Sequence, residues 1–210
     1  MSNRPPMSAV SVDAVVLRGD ETGTRVLVHR RAADPFLGDW ALPGVLLGSG
    51  ERITAAATRA AGKAHVSPEQ VSGAGQLVVF DEPNRDPRGP TLSVATWVAT
   101  RRELALPKAD DARWVDWDAL PELAFDHERI LADVRPLLAS KLWSDRDFTK
   151  ALTGPEFEVR TALAITESLA GRAVDRGNLN RDIERVAERA GEAPRRGRGR
   201  PGVLWRWPSR

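Results

Sequence analysis

The stretch LPGVLLGSGERITAAATRAAGKAHVS, residues Leu42–Ser67, is the most informative part of the chain. Its second half, Glu51–His65, is rich in alanine and lacks proline, which predicts an α-helix. Positions 60, 63 and 64 fall on one face of that helix because residues three and four apart are neighbours. Ala60, Lys63 and Ala64 give this face two methyl groups and one ammonium, which are poor ligands for a hard divalent metal ion.

Short apolar runs on both sides of this helix predict β-strands at residues 8–19, 25–31, 76–80, 92–100 and 112–117. A second long helix is predicted from about Asp126 to Leu142, and Pro136 is expected to kink it or divide it in two. Strands mixed with two long helices indicate an α/β (α+β) sandwich. We assign this sandwich to residues 8–142, with residues 126–142 as a linker helix.

The pattern changes to short helices after residue 142, at about residues 147–152, 158–170 and 175–190. Asp175 is a suitable N-cap for the third helix. The buried stripe of this helix is predicted to consist of Leu179, Ile183 and Val186. Residues 197–199 permit a tight turn, and the alternation of residues 203, 205 and 207 predicts a half-buried strand. Three helices followed by a β-hairpin predict a winged helix-turn-helix domain at residues 143–207.

Charge is distributed unevenly along the chain. The formal net charge is +2, but residues 141–210 carry +5 and residues 1–140 carry −3. Positive potential in a small segment suits a polyanionic partner, although a solvated basic tail would have the same composition. The absence of cysteine excludes disulfides and thiolate zinc sites, and no apolar run is long enough for a membrane span. We therefore expect a cytoplasmic protein without a membrane partner.

The opening stretch resembles the Nudix signature, which reads Gly, five residues, Glu, seven residues, then Arg-Glu-apolar-any-Glu-Glu-any-Gly. Glu51 and Arg59 match two of its seven defining positions. The other five positions hold Val45, Ala60, Lys63, Ala64 and Val66. Because hydrolysis of a diphosphate relies on a metal ion to neutralise charge and activate water, we predict that this protein is not an enzyme. No catalytic residue, metal site or cofactor is predicted.

The order of motifs along the whole chain resembles the Nudix-related transcriptional regulators of the NrtR family, over about residues 10–207. The matching pieces are Trp40–Gly44, Arg85–Gly89, Phe125–His127, Asn178–Arg181, Gly199–Pro201 and Leu204–Arg206. Trp205 stands where the family more often has Tyr, and Asp182 and Glu184 make the third helix less basic than usual. The resemblance implies a homodimeric repressor of NAD metabolism genes. In such a regulator, ADP-ribose or a related NAD-derived nucleotide binds the Nudix-like domain and releases a palindromic operator in double-stranded DNA.

The effector is expected in a cleft between the sheet and the helix at 51–65. The candidate effector-binding residues are Glu51, Arg59, Lys63, Arg85 and Arg88. Arg85 and Arg88 have guanidinium groups suited to phosphate oxygens, and Lys63 has a charge that can replace part of a metal's charge. Three plainer interpretations stay open: a solvated Lys63, a purely structural Glu51–Arg59 pair and an ordinary turn at 85–89.

DNA is expected to meet the third helix and the hairpin that follows it. The candidates in the helix are Asn178, Asn180, Arg181 and Arg185, since Arg pairs with guanine and Asn with adenine in the major groove. The candidates in the wing are Arg195, Arg196, Arg198 and Arg200, which suit phosphates or a minor groove. Alternatively, Arg181 and Arg185 only form pairs with acidic neighbours on the helix surface.

Two other functions remain open at the level of sequence. An active Nudix-type hydrolase would have to use other carboxylates, such as Asp81, Glu82 or Glu51. A structural or RNA-associated protein would carry the Arg/Gly-rich tail as a disordered segment. His127 is predicted to orient the linker helix, and residues 114 and 117 are predicted to be core or dimer contacts.

Overall fold

The computed structural model describes residues 7–100, 110–193 and 202–209. The strands in these ranges are β1 (Ala9–Asp20), β2 (Gly23–Arg30), β3 (Trp40–Ala41), β4 (Gly44–Leu46), β5 (Val71–Phe80), β6 (Thr91–Thr100), β7 (Ala112–Asp116), β8 (Glu156–Glu158), β9 (Glu188–Glu192) and β10 (Val203–Arg206). The α-helices are α1 (Ile53–Gly62), α2 (His127–Lys141), α3 (Arg146–Thr153), α4 (Val159–Ala170) and α5 (Arg176–Val186).

Seven strands form the main sheet, in the order β3-β2-β1-β6-β5, with β4 paired to β1 and β7 paired to β2. β1 is central and runs antiparallel to β2 and parallel to β6. Residues 12–17 of β1 are all buried, because helices cover both faces of the sheet. The first half of β1 lies beside β4, and this pairing brings the start of the opening stretch next to the centre of the sheet.

Helix α1 covers one face of the sheet with alanine side chains. Ala56, Ala57, Ala60 and Ala61 are buried against apolar residues of β1 such as Val12. The other face carries α2, α3 and α4, with Ile130, Leu138, Phe148 and Ile165 fully buried. The mixed α/β sandwich predicted from the sequence is therefore confirmed.

The segment after residue 142 has three helices and a three-stranded antiparallel sheet in the order β8-β10-β9. The predicted N-cap is confirmed, since the Asp175 carboxylate accepts a hydrogen bond from the Asn178 N–H at 2.7 Å. Leu179 and Ile183 are buried, as predicted. Helix α5 ends at Val186 rather than near residue 190, because the chain then enters β9 and pairs with β10.

This segment shares its hydrophobic core with the sandwich. The ring of Phe148 in α3 meets Trp97 of β6 edge to face, with centroids 5.0 Å apart. Ser168 in α4 forms hydrogen bonds with Thr24 at the start of β2, including an Oγ–Oγ1 contact of 2.9 Å. The buried apolar cluster extends from Val15 to Trp207 without a break between the two segments.

Two elements differ from their predicted extent. Pro136 does not divide α2, which runs without interruption from His127 to Lys141; Pro136 lies on the exposed side, where the carbonyl left without a partner can face water. A kink at Pro136 stays a prediction. Strand β5 begins at Val71 rather than at 76, because residues 71–75 also pair with β6. Glycine is needed at two of these positions, since the indole of Trp97 lies over Gly73 and Gly75 and leaves no room for side chains. Glycine disfavours strands in isolation, so the local sequence does not reveal this part of β5. The predicted turn at 197–199 lies outside the described residues.

Candidate functional site

A cavity of about 400 Å³ opens where α1 ends beside the first half of β1. Four of the five predicted effector residues line it, namely Arg59, Lys63, Arg85 and Arg88. The charged residues that line it are Asp13, Arg31, Asp34, Arg59, Lys63, Arg85, Asp86 and Arg88. Leu42, Val45, Phe125 and other apolar groups complete the wall. A concave site with a few converging charged groups is the usual form of a ligand pocket.

Glu51 and Arg59 form a bidentate ion pair at one side of this cavity. The Arg59 Nε and Nη2 atoms donate to the two carboxylate oxygens of Glu51 at 2.9 and 2.7 Å. Arg59 also donates to the Leu46 carbonyl at 2.8 Å, and the Gly48 N–H donates to Glu51. The hydrogen bonds from Arg59 and Gly48 lower the pKa of Glu51 to about 2. The pair thus ties α1 to the preceding loop, and Arg59 borders the cavity with its charge already balanced.

Arg85 is buried in an ion-pair network. Its Nη2 lies 2.6 Å from an Asp126 oxygen and 3.5 Å from Asp13, and the Arg85 side chain is 4% exposed. Ser93 of β6 and Ser11 of β1 also donate to Asp13, at 2.5 and 3.3 Å, so that carboxylate is held from two strands. Arg85 therefore anchors the loop between β5 and β6 to α2 and β1. Its side chain forms part of the cavity wall and is almost inaccessible to solvent.

Asp86 organises the rest of the same loop. Its carboxylate accepts from the Arg88 backbone N–H at 2.9 Å and from the Arg88 guanidinium at 2.9 and 2.6 Å. These hydrogen bonds lower the pKa of Asp86. Asp86 is buried, whereas the Arg88 side chain is 54% exposed and lines the cavity. The hydrogen bonds of Asp86 thus fix the loop and hold Arg88 at the cavity.

The three inner positions of the signature helix do not share one environment. Ala60 and Ala64 are fully buried in the layer between α1 and the sheet, whereas the side chain of Lys63 lines the cavity. The sequence placed all three on one face, but Lys63 lies at the margin of the apolar face, just after α1 ends. In the part of the chain that the structure describes, no group of three or more His, Cys, Asp or Glu residues is placed to hold a metal ion.

His127 connects the signature loop to helix α2. Its Nδ1 accepts a hydrogen bond from the Leu42 N–H at 3.0 Å, and its Nε2 lies 3.8 Å from Asp13. Burial lowers the pKa of His127, with Asp13 and Asp126 acting in the opposite direction. A neutral ring that accepts from the backbone fits the expected orienting role.

Sequence reasoning did not predict three residues of the cavity wall: Asp13, Arg31 and Phe125, whose ring contacts Arg31. Asp13 sits inside an apolar strand, and its polarity in such a run is the signal that could have pointed to a site. The Arg31 guanidinium lies 4.6 Å from the centroid of the Phe125 ring. Arg31 follows β2 and Phe125 precedes α2, so only the fold shows that they meet.

The carboxylates considered for an alternative hydrolase lie apart from one another. Glu82 forms an ion pair with Arg129 of α2, and Asp81 and Glu82 line a different, smaller depression beside β6. Glu51 is held by Arg59. Trp117 belongs to the core, as predicted, and donates to Thr24 at 2.9 Å, while Trp114 is half-buried.

The predicted DNA-contacting residues of α5 are all on its outer surface. Asn178, Asn180, Arg181 and Arg185 are exposed, and Leu179 and Ile183 point inward. Arg181 donates to the neutral side chain of Asn178, whereas Arg185 is paired with Asp182 at 2.5 Å. The charge of Arg181 is thus not balanced by this contact, while that of Arg185 is.

The predicted wing residues Arg195, Arg196, Arg198 and Arg200 lie outside the described residues. The two strands on either side of them, β9 and β10, are paired antiparallel next to α5, as the predicted hairpin requires. None of the helices in the described ranges combines the length and the hydropathy needed to cross a bilayer.

The stability of this region is expected to depend on pH through His29 of β2. Burial, assisted by Lys63 and Arg31, lowers the pKa of His29 from 6.5 to about 4. The unfolded chain therefore binds a proton that the folded chain does not, and the free energy of unfolding falls as pH is lowered from 6.5 towards 4. The loss attributable to His29 is at most about 3 kcal/mol. Denaturant titrations of wild type and His29→Gln across this range test the prediction; equal pH slopes would contradict it.

Three comparisons with known proteins bear on this geometry. The family model for the NUDIX domain matches residues 7–134. An ADP-ribose pyrophosphatase from Methanocaldococcus jannaschii is 34% identical over 128 residues, which are 60% of this chain and 72% of the relative. The structure of NrtR from Shewanella oneidensis complexed with a 27mer DNA matches with a TM-score of 0.75 and 25% identity, covering 95% of this chain and 93% of that one.

The NUDIX domain of the same Shewanella protein, in a cocrystal with ADP ribose, matches with a TM-score of 0.52 and 26% identity. That match covers 65% of this chain and 94% of the other. The family model spans more than half of the chain and includes β1 to β7, α1 and the cavity. This protein is therefore a member of the NUDIX domain family.

Proposed function

We propose that this protein is a DNA-binding transcriptional regulator whose Nudix domain senses ADP-ribose or a related NAD-derived nucleotide without hydrolysing it. The proposal includes a homodimer that represses NAD metabolism genes from a palindromic operator. The observation that carries it is the likeness to the NrtR–DNA complex over 95% of the chain. That likeness includes the segment beyond residue 134, which the NUDIX model does not cover.

The C-terminal segment supports the DNA-binding half of the proposal. Its helices α3, α4 and α5 are followed by the β9–β10 hairpin, which is the element order of a winged helix-turn-helix domain. Helix α5 has exposed Asn and Arg side chains, the residue types that read adenine and guanine in a major groove. We propose Asn178, Asn180, Arg181 and Arg185 as its DNA contacts. We also propose the four wing arginines as phosphate contacts.

The cavity supports the sensing half of the proposal. Arg31, Lys63 and Arg88 line it, and cationic side chains of this kind suit the phosphates of a nucleotide. Ala60 and Ala64 leave two signature positions without a carboxylate, which favours binding over metal-dependent hydrolysis. Ligand binding can change DNA affinity only if the two arrangements of the protein differ in their affinity for the ligand.

The direct test is a mobility-shift assay of the full chain on the DNA upstream of its own gene. We expect a retarded complex that ADP-ribose dissociates, and no retardation of an unrelated duplex of equal length. Failure to retard any duplex at moderate salt would overturn the proposed function. A retarded complex that ADP-ribose leaves intact would overturn the sensing half alone.

Replacing Arg181 with alanine is expected to weaken DNA binding more than replacing Arg185. Arg181 is bonded to a neutral amide, whereas Arg185 is already neutralised by Asp182. If Arg181 contacts a phosphate, its loss reduces the slope of log K against log salt by about one unit. Fluorescence anisotropy at several salt concentrations measures both quantities. Arg129→Ala, on the exposed side of α2, is the control; an Arg181→Ala variant that matches this control would refute the contact.

A second candidate function is an active ADP-ribose hydrolase, which the 34% identity with the pyrophosphatase favours. Such an enzyme would form AMP from ADP-ribose in the presence of Mg²⁺, and Glu51→Gln would abolish the reaction. Absence of AMP after prolonged incubation with saturating Mg²⁺ would reject this candidate. The DNA assay does not depend on that result, so the two functions are tested separately.

A further inference from the structure

Lys63 is an exposed cation in the wall of the cavity. Its side chain lines the cavity just beyond the last turn of α1. Within residues 7–100, 110–193 and 202–209, its ammonium forms no hydrogen bond or ion pair, unlike the other cations of the site. Lys63 is an exposed residue, so water now solvates its ammonium, and a bound anion can replace part of that water with a charge-assisted hydrogen bond.

Three of the other cations are each neutralised by a carboxylate in direct contact. Arg59 is paired with Glu51 and Arg88 with Asp86. Arg85 is paired with Asp126 inside the wall. These pairs hold the guanidinium groups in fixed positions, which limits the ordering that a ligand must impose on them.

Arg31 is held in a different way. It donates to the backbone carbonyls of Pro35 and Ala33 at 2.7 and 3.1 Å. Its guanidinium lies over the Phe125 ring, at 4.6 Å from the centroid. Among the described residues it contacts no carboxylate within ion-pair distance, so its positive charge remains unbalanced at short range while its orientation is fixed.

Three neighbouring cations repel the charge of Lys63. Burial lowers the pKa of Lys63 from 10.5, and Arg31, Arg59 and Arg88 lower it further, while Asp13 alone acts in the opposite direction. Asp13 is already bound by Ser93 and Arg85. The charged groups that face Lys63 therefore come from α1, the end of β2, the 85–89 loop and β1, and three of the four are positive.

We propose that Lys63 and Arg31, with Arg88 beside them, bind the diphosphate group of the ligand directly, so that binding requires no divalent metal ion. The inference rests on the proposed sensing function and specifies how the same cavity recognises its ligand. Arg31 and Lys63 lie on different elements of the wall, so they suit a ligand with two linked phosphate groups, and we expect a diphosphate to bind more tightly than a monophosphate, whose charge sits on one phosphate. Retention of a positive charge at position 63 is then necessary for affinity.

Isothermal titration calorimetry of the full chain tests this inference, with ADP-ribose, inorganic pyrophosphate and AMP as probes in EDTA or in Mg²⁺. We expect ADP-ribose and pyrophosphate to bind in EDTA with no gain in affinity in Mg²⁺, and AMP to bind more weakly. Lys63→Ala is expected to weaken diphosphate binding about tenfold, the effect of losing one charge-assisted hydrogen bond. Lys150→Ala, an exposed lysine of α3 outside the cavity, is the matched control.

The conservative variant Lys63→Arg adds a readout that a structural role would not affect. Affinity of the wild type is expected to decline as pH rises towards 10.5, because the ammonium loses its proton. Lys63→Arg is expected to retain binding and to lose this alkaline decline. Identical pH profiles for the two proteins would overturn the inference.

The remaining outcomes separate this inference from the proposed function. Binding of ADP-ribose only in Mg²⁺, or with unchanged affinity in Lys63→Ala, overturns the metal-free site and leaves the sensing function standing. Lys63-dependent binding of pyrophosphate in EDTA without binding of ADP-ribose supports the site and rejects the proposed effector. Failure of all three probes to bind overturns the inference, while the DNA assay still decides the regulatory function.

Discussion

Arg85→Ala is expected to lower the free energy of unfolding by about 3–5 kcal/mol, the usual effect of breaking a buried ion pair. The Arg85 side chain is 4% exposed and is shared between Asp126 and Asp13. Its removal leaves two carboxylates with little access to water and without their cation, and burial of an unpaired charge is costly. Denaturant unfolding at neutral pH measures the effect.

Arg88→Ala is the matched control because it lies in the same loop and is also paired with an aspartate. Its side chain is 54% exposed, so the loss of its pair is expected to change stability by only about 1 kcal/mol or less. Comparable effects of the two substitutions would show that Arg85 does not anchor the loop. Arg85→Lys tests whether the bidentate hydrogen bonds to Asp126 are needed, because lysine keeps the positive charge and cannot form them.

Phe148→Ala is expected to lower the free energy of unfolding by about 3–5 kcal/mol, the typical cost of deleting a buried aromatic ring. Phe148 is fully buried and joins α3 to Trp97 of the main sheet. Since the core is continuous from Val15 to Trp207, the loss should appear in one transition that includes both segments. Equilibrium unfolding followed by tryptophan fluorescence and by circular dichroism measures it.

Phe36→Ala is the control for this substitution, because Phe36 is 39% exposed and lies outside the core, against the Phe125 ring. Its replacement is expected to cost about 1 kcal/mol or less. Two separate unfolding transitions in the wild type would contradict the shared core. A loss in Phe148→Ala no larger than that in Phe36→Ala would show that the junction contributes little stability.

Much of the fold was predictable because it depends on local patterns. The alternation in β1 and β2, the alanine-rich run of α1 and the apolar stripe of α5 are each written in consecutive residues. The predicted boundaries failed where tertiary contacts decide. Strand β5 includes glycines that local propensity disfavours, and Trp97 packs over them. Helix α5 ends early because β9 finds a partner in β10.

The candidate site was only partly predictable. Arg59, Lys63, Arg85 and Arg88 line the cavity as expected, because their motifs belong to elements near the signature helix. Glu51 instead balances Arg59. The sequence contains no signal that Arg31 would lie against Phe125, which is more than 90 residues away in the chain.

By itself, the sequence determined the family, the sandwich and the loss of carboxylates at positions 60 and 64, since these are properties of residue identity and short-range periodicity. Only the tertiary structure decided which cations are already neutralised. Ion pairing depends on distance and burial between residues far apart in the chain, and no local pattern encodes either quantity. That difference separates Arg85, which is buried among carboxylates, from Lys63, which has no partner among the described residues and faces the cavity.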